Sequence, residues 1–127
     1  SARQVITDMF SVTGEWTPAH VSLADEAVAI VIAPASAHCI AQLAAGRADD
    51  MLSCTVLSTR APVIVAPAMN DRMYTHAAVT ENLARLRHFG YHIVEPVHGD
   101  LACGRKGTGH LAPTEDIVRT VRTLIEK

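Results

Sequence analysis

Residues 63–74, VIVAPAMNDRMY, open as a buried strand and end as something else. Val63, Ile64 and Val65 are β-branched and apolar, the composition of a strand covered on both faces. Pro67 removes a ladder donor and closes that strand. Met69, Asn70, Asp71, Arg72, Met73 and Tyr74 then follow where a helix would start. An earlier stretch has the same plan: AIVIAPASAHC, residues 29–39. Its run Ala27–Ala33 is uniformly apolar and is expected to end at Pro34, with Ser36 beyond. Both junctions turn at Ala-Pro-Ala, and both put a capping residue, Ser36 or Asn70, at the head of a helix.

Working outward, a short strand is expected near Gln4–Thr7. GEWTPAH, residues 14–20, reads as a loop because of Gly14 and Pro18. Ile40, Leu43 and Ala44 give the helix after Ser36 its apolar face, and Gly46 stops it. Asp49–Ser58 reads as a second helical piece, with a strand as the alternative. Val79, Leu83 and Leu86 stand at helical spacing before a closing Gly90. Tyr91–Val94 is a short strand. Residues 98–113 hold four glycines and no apolar period, so they read as a flexible, Gly-rich substrate loop. Thr114 is expected to cap a last helix. Glu115 and Asp116 sit in its first turn, favourable to the dipole. Ile117, Val118, Val121, Leu124 and Ile125 are its buried stripe. Alternating strands and helices argue an α/β layer with a parallel sheet.

The chain of 127 residues suits one domain, 1–127, and its 49% hydrophobic content allows a real core. With 13 acids against 11 Lys plus Arg there is no basic stripe, so nucleic-acid binding is not expected. The longest apolar run, Ala27–Pro34, is far too short to span a bilayer. No apolar segment follows Ser1-Ala2-Arg3-Gln4, so no signal peptide is expected. Cys39, Cys54 and Cys103 match no disulfide framework or metal motif. That spacing suits a reducing, cytoplasmic compartment. His38, His76, His88, His92, His98 and His110 show no HExxH-like spacing, and none is assigned to a metal.

In open parallel sheets, ligands bind beyond the carboxyl ends of the strands. Ser36 and Asn70 would stand at helix N-termini there, where backbone N–H groups favour anions such as a phosphate or a carboxylate. Each residue has a plainer reading. Ser36 and Asn70 suit simple caps, Met69 and Met73 suit core filler, and His20 suits a solvated loop.

Taken together, the segments resemble a known family. PASAHCIAQLAAGRADDMLSCTVLS, PVIVAPAMNDRMY and GDLACGRKGTGH, with HVSL at 20–23, are similar to the flavin-dependent cysteine decarboxylases. PAMNDRM is close to that family's P-x-M-N-x-x-M-W, and LACG lies in a Gly-rich segment. Within the family the likeness is greatest to the branch acting on 4'-phosphopantothenoylcysteine in coenzyme A biosynthesis. The resemblance implies a flavodoxin/Rossmann-like three-layer sandwich. The family's opening strand and Gly-rich turn have no counterpart in residues 1–20, so the first strand–helix segment is expected to be lacking.

The resemblance also implies FMN chemistry. A substrate cysteine is oxidised to a thioaldehyde, carbon dioxide leaves to give an enethiolate, and reduction yields 4'-phosphopantetheine. It implies His20 as the acid–base group of the oxidation, Asn70 as the donor to the substrate carboxylate, and Cys103 as the proton source of the reduction. Met73, Asp100, Leu101 and Ala102 would contact substrate. Ser36, Ala37, His38, Cys39 and Ala68 would contact FMN, with Ser36 at the phosphate. The flavin of this family lies between subunits, with the histidine serving a neighbour's site, so a homotrimer or a multiple of it is expected. Two departures stand out. Ser36-Ala37-His38-Cys39 replaces the usual S-A-N-T, and Gly107-Thr108-Gly109-His110 replaces G-x-G-R. A peptidyl-cysteine decarboxylase is the nearest alternative, although that activity would not need Cys103. A non-catalytic regulatory protein of the same fold is another.

Overall fold

The computed structural model describes residues 24–126, together with the backbone of Val5–Ile6. The loop expected at 14–20, and His20 with it, lies outside the described residues.

The elements in chain order are β1 (Val5–Ile6), β2 (Ala29–Ala35), α1 (Ala37–Ala44), α2 (Met51–Ser58), β3 (Val63–Pro67), α3 (Asp71–Tyr74), α4 (Ala77–His88), β4 (His92–Ile93), β5 (Val97–Asp100), β6 (Lys106–His110) and α5 (Thr114–Ile125). The first four strands form one parallel sheet in the order β1-β2-β3-β4. β2 and β3 are its centre, with Ile30 beside Val63 and Ile32 beside Val65.

Side chains alternate across a strand, and here both sets are buried. Ile30, Ile32, Val63 and Val65 pack with Ile40 and Leu43 of α1, Val56 of α2, and Val79, Leu83 and Leu86 of α4. Ala29, Val31, Ile64 and Ala66 face the other way, against Ala112 and Ile117. Val121, Leu124 and Ile125 of α5 complete that second layer. The result is the expected three-layer α/β sandwich, and it explains why both strands are apolar throughout.

Ser36 accepts a hydrogen bond from the Cys39 N–H at 3.1 Å, satisfying one of the orphan donors of the α1 N-terminus. Asp50 and Ser53 form a reciprocal capping box that starts α2, so the helical reading of 49–58 holds over the strand. Gly90, at φ +94°, ends α4 in the left-handed region.

Four expectations need correction. Pro34 does not end β2. It lies inside the strand at a register shift between Ile32 and Ala35, because an irregular site needs no ladder donor from it. Thr114 is not the cap of the last helix. That position belongs to Pro113, whose carbonyl accepts from Asp116 N–H at 2.9 Å with no side-chain bond. Val118 is 40% exposed and outside the α5 stripe, since i and i+1 point about a quarter-turn apart on a helix.

The fourth correction is the segment 98–113, which is not a loop throughout. β5 and β6 pair as an antiparallel ribbon, Gly99 opposite Gly107 and Asp100 opposite Lys106. Only residues 101–105 form its irregular tip. Glycine weakens a strand in isolation, but here its missing side chain is what lets the ribbon dock.

Candidate functional site at the carboxyl ends of β2 and β3

The ladder between the central strands continues one step past β3, with Ala68 N–H donating to the Ala35 carbonyl at 3.1 Å. This bond holds the two Ala-Pro-Ala junctions side by side. Asn70 follows as the N-cap of α3, its Oδ1 accepting from Met73 N–H at 2.9 Å. That bond orients the amide: the oxygen is turned into the helix, and the Nδ2 donors are the end left for another partner.

The β5–β6 ribbon lies against this turn. Met69 N–H donates to the Gly109 carbonyl at 3.0 Å. A Cβ on Gly109 would fall 2.1 Å from the Met69 carbonyl oxygen, and one on Gly107 would fall 2.8 Å from Asp71 Cβ. Both are buried in a strand whose other residues are exposed. The backbone therefore approaches to a distance that only glycine permits. An ion pair joins the tip to the same turn, from the Arg105 guanidinium to the Asp71 carboxylate. The hydrogen bond from Arg105 holds the Asp71 carboxyl below the usual carboxylate range.

Docking the ribbon creates a cleft of about 520 Å³. Its lining is Ala68, Met69, Asn70, Asp100, Leu101, Ala102, Cys103, Gly109, His110 and Leu111. Six of the residues singled out from the sequence meet here: Ala68, Asn70, Asp100, Leu101, Ala102 and Cys103. They come from segments thirty residues apart. Cys103 is exposed at the ribbon tip, and His110 hydrogen-bonds through Nδ1 to the Asp100 carbonyl at 2.7 Å.

The other candidates stand elsewhere. Ser36, Ala37, His38 and Cys39 start α1 on the neighbouring strand and do not line this cleft. Met73 is 42% exposed and is also outside the lining. Met69, Gly109 and Leu111 enter the wall without having been selected. One signal for them was in the sequence: glycines alternating at 107 and 109 have the period of a strand with one bare face.

The Ser36 segment suits a flavin phosphate on its donor set. The Ala37 and His38 N–H groups of the first helical turn have no intrahelical acceptor, and the Ser36 hydroxyl sits beside them, exposed. Ala37 and Ala68 place no bulk at the strand ends. Among the described residues no cluster of His, Cys, Asp and Glu is arranged to hold a metal ion. No helix among them is long and apolar enough to cross a membrane.

Comparison with known proteins agrees with this fold. The Flavoprotein family profile matches residues 1–126. The "Coenzyme A biosynthesis bifunctional protein CoaBC" of Bacillus subtilis (strain 168) is 46% identical over 119 residues, which is 94% of this chain and 29% of that protein. A solved cysteine-to-serine mutant of PPC decarboxylase, complexed with pantothenoylaminoethenethiol, superposes with a TM-score of 0.84 at 31% identity, covering 94% of this chain and 66% of that one. The FMN-dependent cysteine decarboxylase SpaF gives a TM-score of 0.73 at 34% identity, covering 91% of this chain and 62% of its own. The chain thus spans less than a third of the length of its curated CoaBC relative. The parallel sheet with its flanking helices, the docked ribbon and the profile match lead to one assignment: this chain belongs to the Flavoprotein family.

Proposed function

We propose that the chain is the decarboxylase unit for 4'-phosphopantothenoylcysteine in coenzyme A biosynthesis, working with FMN to release carbon dioxide and form 4'-phosphopantetheine. The observation that carries this reading is the single cleft holding both Asn70 and Cys103. Similarity to CoaBC and to PPC decarboxylase supports the substrate.

Bound FMN supplies the two-electron oxidation of the substrate's thiol-bearing carbon and the later return of those electrons. The chain's own residues do the rest. The Ser36 hydroxyl and the first-turn N–H groups of α1 hold the FMN phosphate, with Ala37, His38, Cys39 and Ala68 along the flavin. The oriented Nδ2 of Asn70 donates to the substrate carboxylate. A neutral amide suits that task, because it holds the anion and still lets neutral carbon dioxide depart. Asp100, Leu101 and Ala102 bring the ribbon over the substrate and exclude water. Cys103 delivers the final proton from the tip, and His20 serves as acid–base group in the oxidation. Met73 packs against substrate where a neighbouring subunit of a trimer completes the wall.

The test is to supply the purified chain with FMN and 4'-phosphopantothenoylcysteine and to follow carbon dioxide and thiol product. Bound flavin with product formation supports the reading; the absence of both flavin binding and turnover would falsify it. Cys103→Ser should still release carbon dioxide while the oxidised enethiol accumulates. Normal pantetheine product at full rate would remove Cys103 from the mechanism. SpaF makes cysteine decarboxylation of another substrate the second reading. A peptide ending in cysteine, offered in competition, separates the two.

A further inference from the structure

The irregular tip of the β5–β6 ribbon is a closed turn. Leu101 N–H donates to the Arg105 carbonyl at 2.8 Å, and Gly104 N–H donates to the Leu101 carbonyl at 2.9 Å. Gly104 stands at φ +90°, in the left-handed region. This is the bonding of a three-residue hairpin loop, a tight turn followed by a left-handed residue that glycine supplies. Cys103 is the middle residue of that loop, and the two bonds fix its place relative to Arg105. Moving Arg105 therefore moves Cys103.

Three alternate residues on the returning side of the ribbon meet the turn after β3. The Gly109 carbonyl accepts from Met69 N–H at 3.0 Å. Gly107 lies bare against Asp71, where a Cβ would fall 2.8 Å from Asp71 Cβ. Arg105 pairs with the Asp71 carboxylate. A step of two residues is one face of a strand, so Lys106 points the other way. The first two contacts are backbone approaches. The third is made by a side chain, and it stands just beyond the last paired residues, Asp100 and Lys106. It is thus the contact next to the turn that carries Cys103, and its other end adjoins Asn70.

We propose that Arg105 is a positioning residue, whose ion pair with Asp71 sets the distance of Cys103 from Asn70 and so decides whether the decarboxylated intermediate is reduced or released. This inference rests on the proposed function for its reaction. In that step the Cys103 sulfhydryl proton moves to the carbon that lost the carboxylate. The two electrons held since the oxidation return from reduced FMN as hydride to the sulfur-bearing carbon, and solvent restores the Cys103 proton. Carbon dioxide has already left, so the pair acts on the later half of the reaction. With the pair broken, the tip stands away more of the time and the enethiol leaves before it is reduced.

The experiment supplies the full chain, loaded with FMN, with saturating 4'-phosphopantothenoylcysteine. Carbon dioxide, enethiol and 4'-phosphopantetheine are measured for the wild type, Arg105→Gln, Asp71→Asn and the double variant. The ratio of enethiol to 4'-phosphopantetheine should rise about threefold in each single variant, the scale of an exposed ion pair. Carbon dioxide release should stay close to that of the wild type. The double variant should match either single one, because the same pair is lost in all three. A pair that only stabilises the fold lowers both products together, and an unchanged ratio overturns the role of Arg105. A double variant whose effect is the product of the two single effects overturns it as well. A wild-type protein that releases no carbon dioxide overturns the substrate reading and the inference with it.

Discussion

Asn70 has two jobs that one substitution can separate. Its Oδ1 caps α3, and its Nδ2 is the donor proposed for the substrate carboxylate. Asn70→Asp preserves the acceptor and replaces the donor by a negative charge. Thermal stability should stay near that of the wild type, because Asn and Asp cap about equally well. Turnover should fall roughly 100-fold, the usual effect of removing one oriented donor to an anion. Asn70→Ala should lower both, losing about 1 kcal/mol of stability with the cap. Calorimetry beside steady-state kinetics checks the split, and unchanged turnover in Asn70→Asp would confine Asn70 to capping. A residue of this kind is only half legible in a sequence. Its capping role follows from the following turn, but which face of the amide is free depends on the bond it actually makes.

At the scale of elements, the docked ribbon is the main structural finding. Gly109→Ala places a methyl group into the Met69 carbonyl, so the ribbon must lift and break the Met69–Gly109 bond. The expected cost is about 1–3 kcal/mol, as for other overpacked contacts. Hydrogen exchange should speed up at the Met69 amide while the Ile30 and Val65 amides of the sheet stay protected. Unchanged protection at Met69 would mean the turn can yield without undocking.

The Asp71–Arg105 pair adds a pH dependence to the same contact. The folded Asp71 carboxyl sits below its unfolded value. Its contribution is therefore complete above about pH 3.9 and is lost as the pH falls through the lower folded value. Protection of ribbon amides, corrected for intrinsic exchange, should drop over that acid window in the wild type and less so in Asp71→Asn. Surface exposure of both partners keeps the effect small. The ribbon escaped the sequence reading because four glycines and no apolar period are what a loop shows. A strand buried by backbone contact alone leaves no hydrophobic pattern.

For the whole molecule, the separation of the candidate residues matters more than any single contact. Ser36–Cys39 and Met73 stand outside the cleft that holds Asn70 and Cys103. If neighbouring subunits complete each site, two inactive variants should repair one another. Co-refolding His20→Asn with Asn70→Ala should restore a fraction of activity, since some sites then receive both intact residues. Light scattering should give a particle of three times 13.6 kDa, or a multiple of that. A monomer, or mixtures as inactive as their components, would argue for a site built within one chain.

By itself the sequence determined an α/β layering with a parallel sheet, because strands apolar on both faces alternate with amphipathic helices that can cover them. It also determined both capped junctions, since those are local chemistry between residues three apart. Only the tertiary structure decided that the Gly-rich segment is a ribbon, that Asn70 and Cys103 share one cleft, and that His110 stands in it with one nitrogen already committed. Those facts depend on backbone approach and hydrogen bonding between segments more than thirty residues apart, of which the alternation of Gly107 and Gly109 is the one local trace.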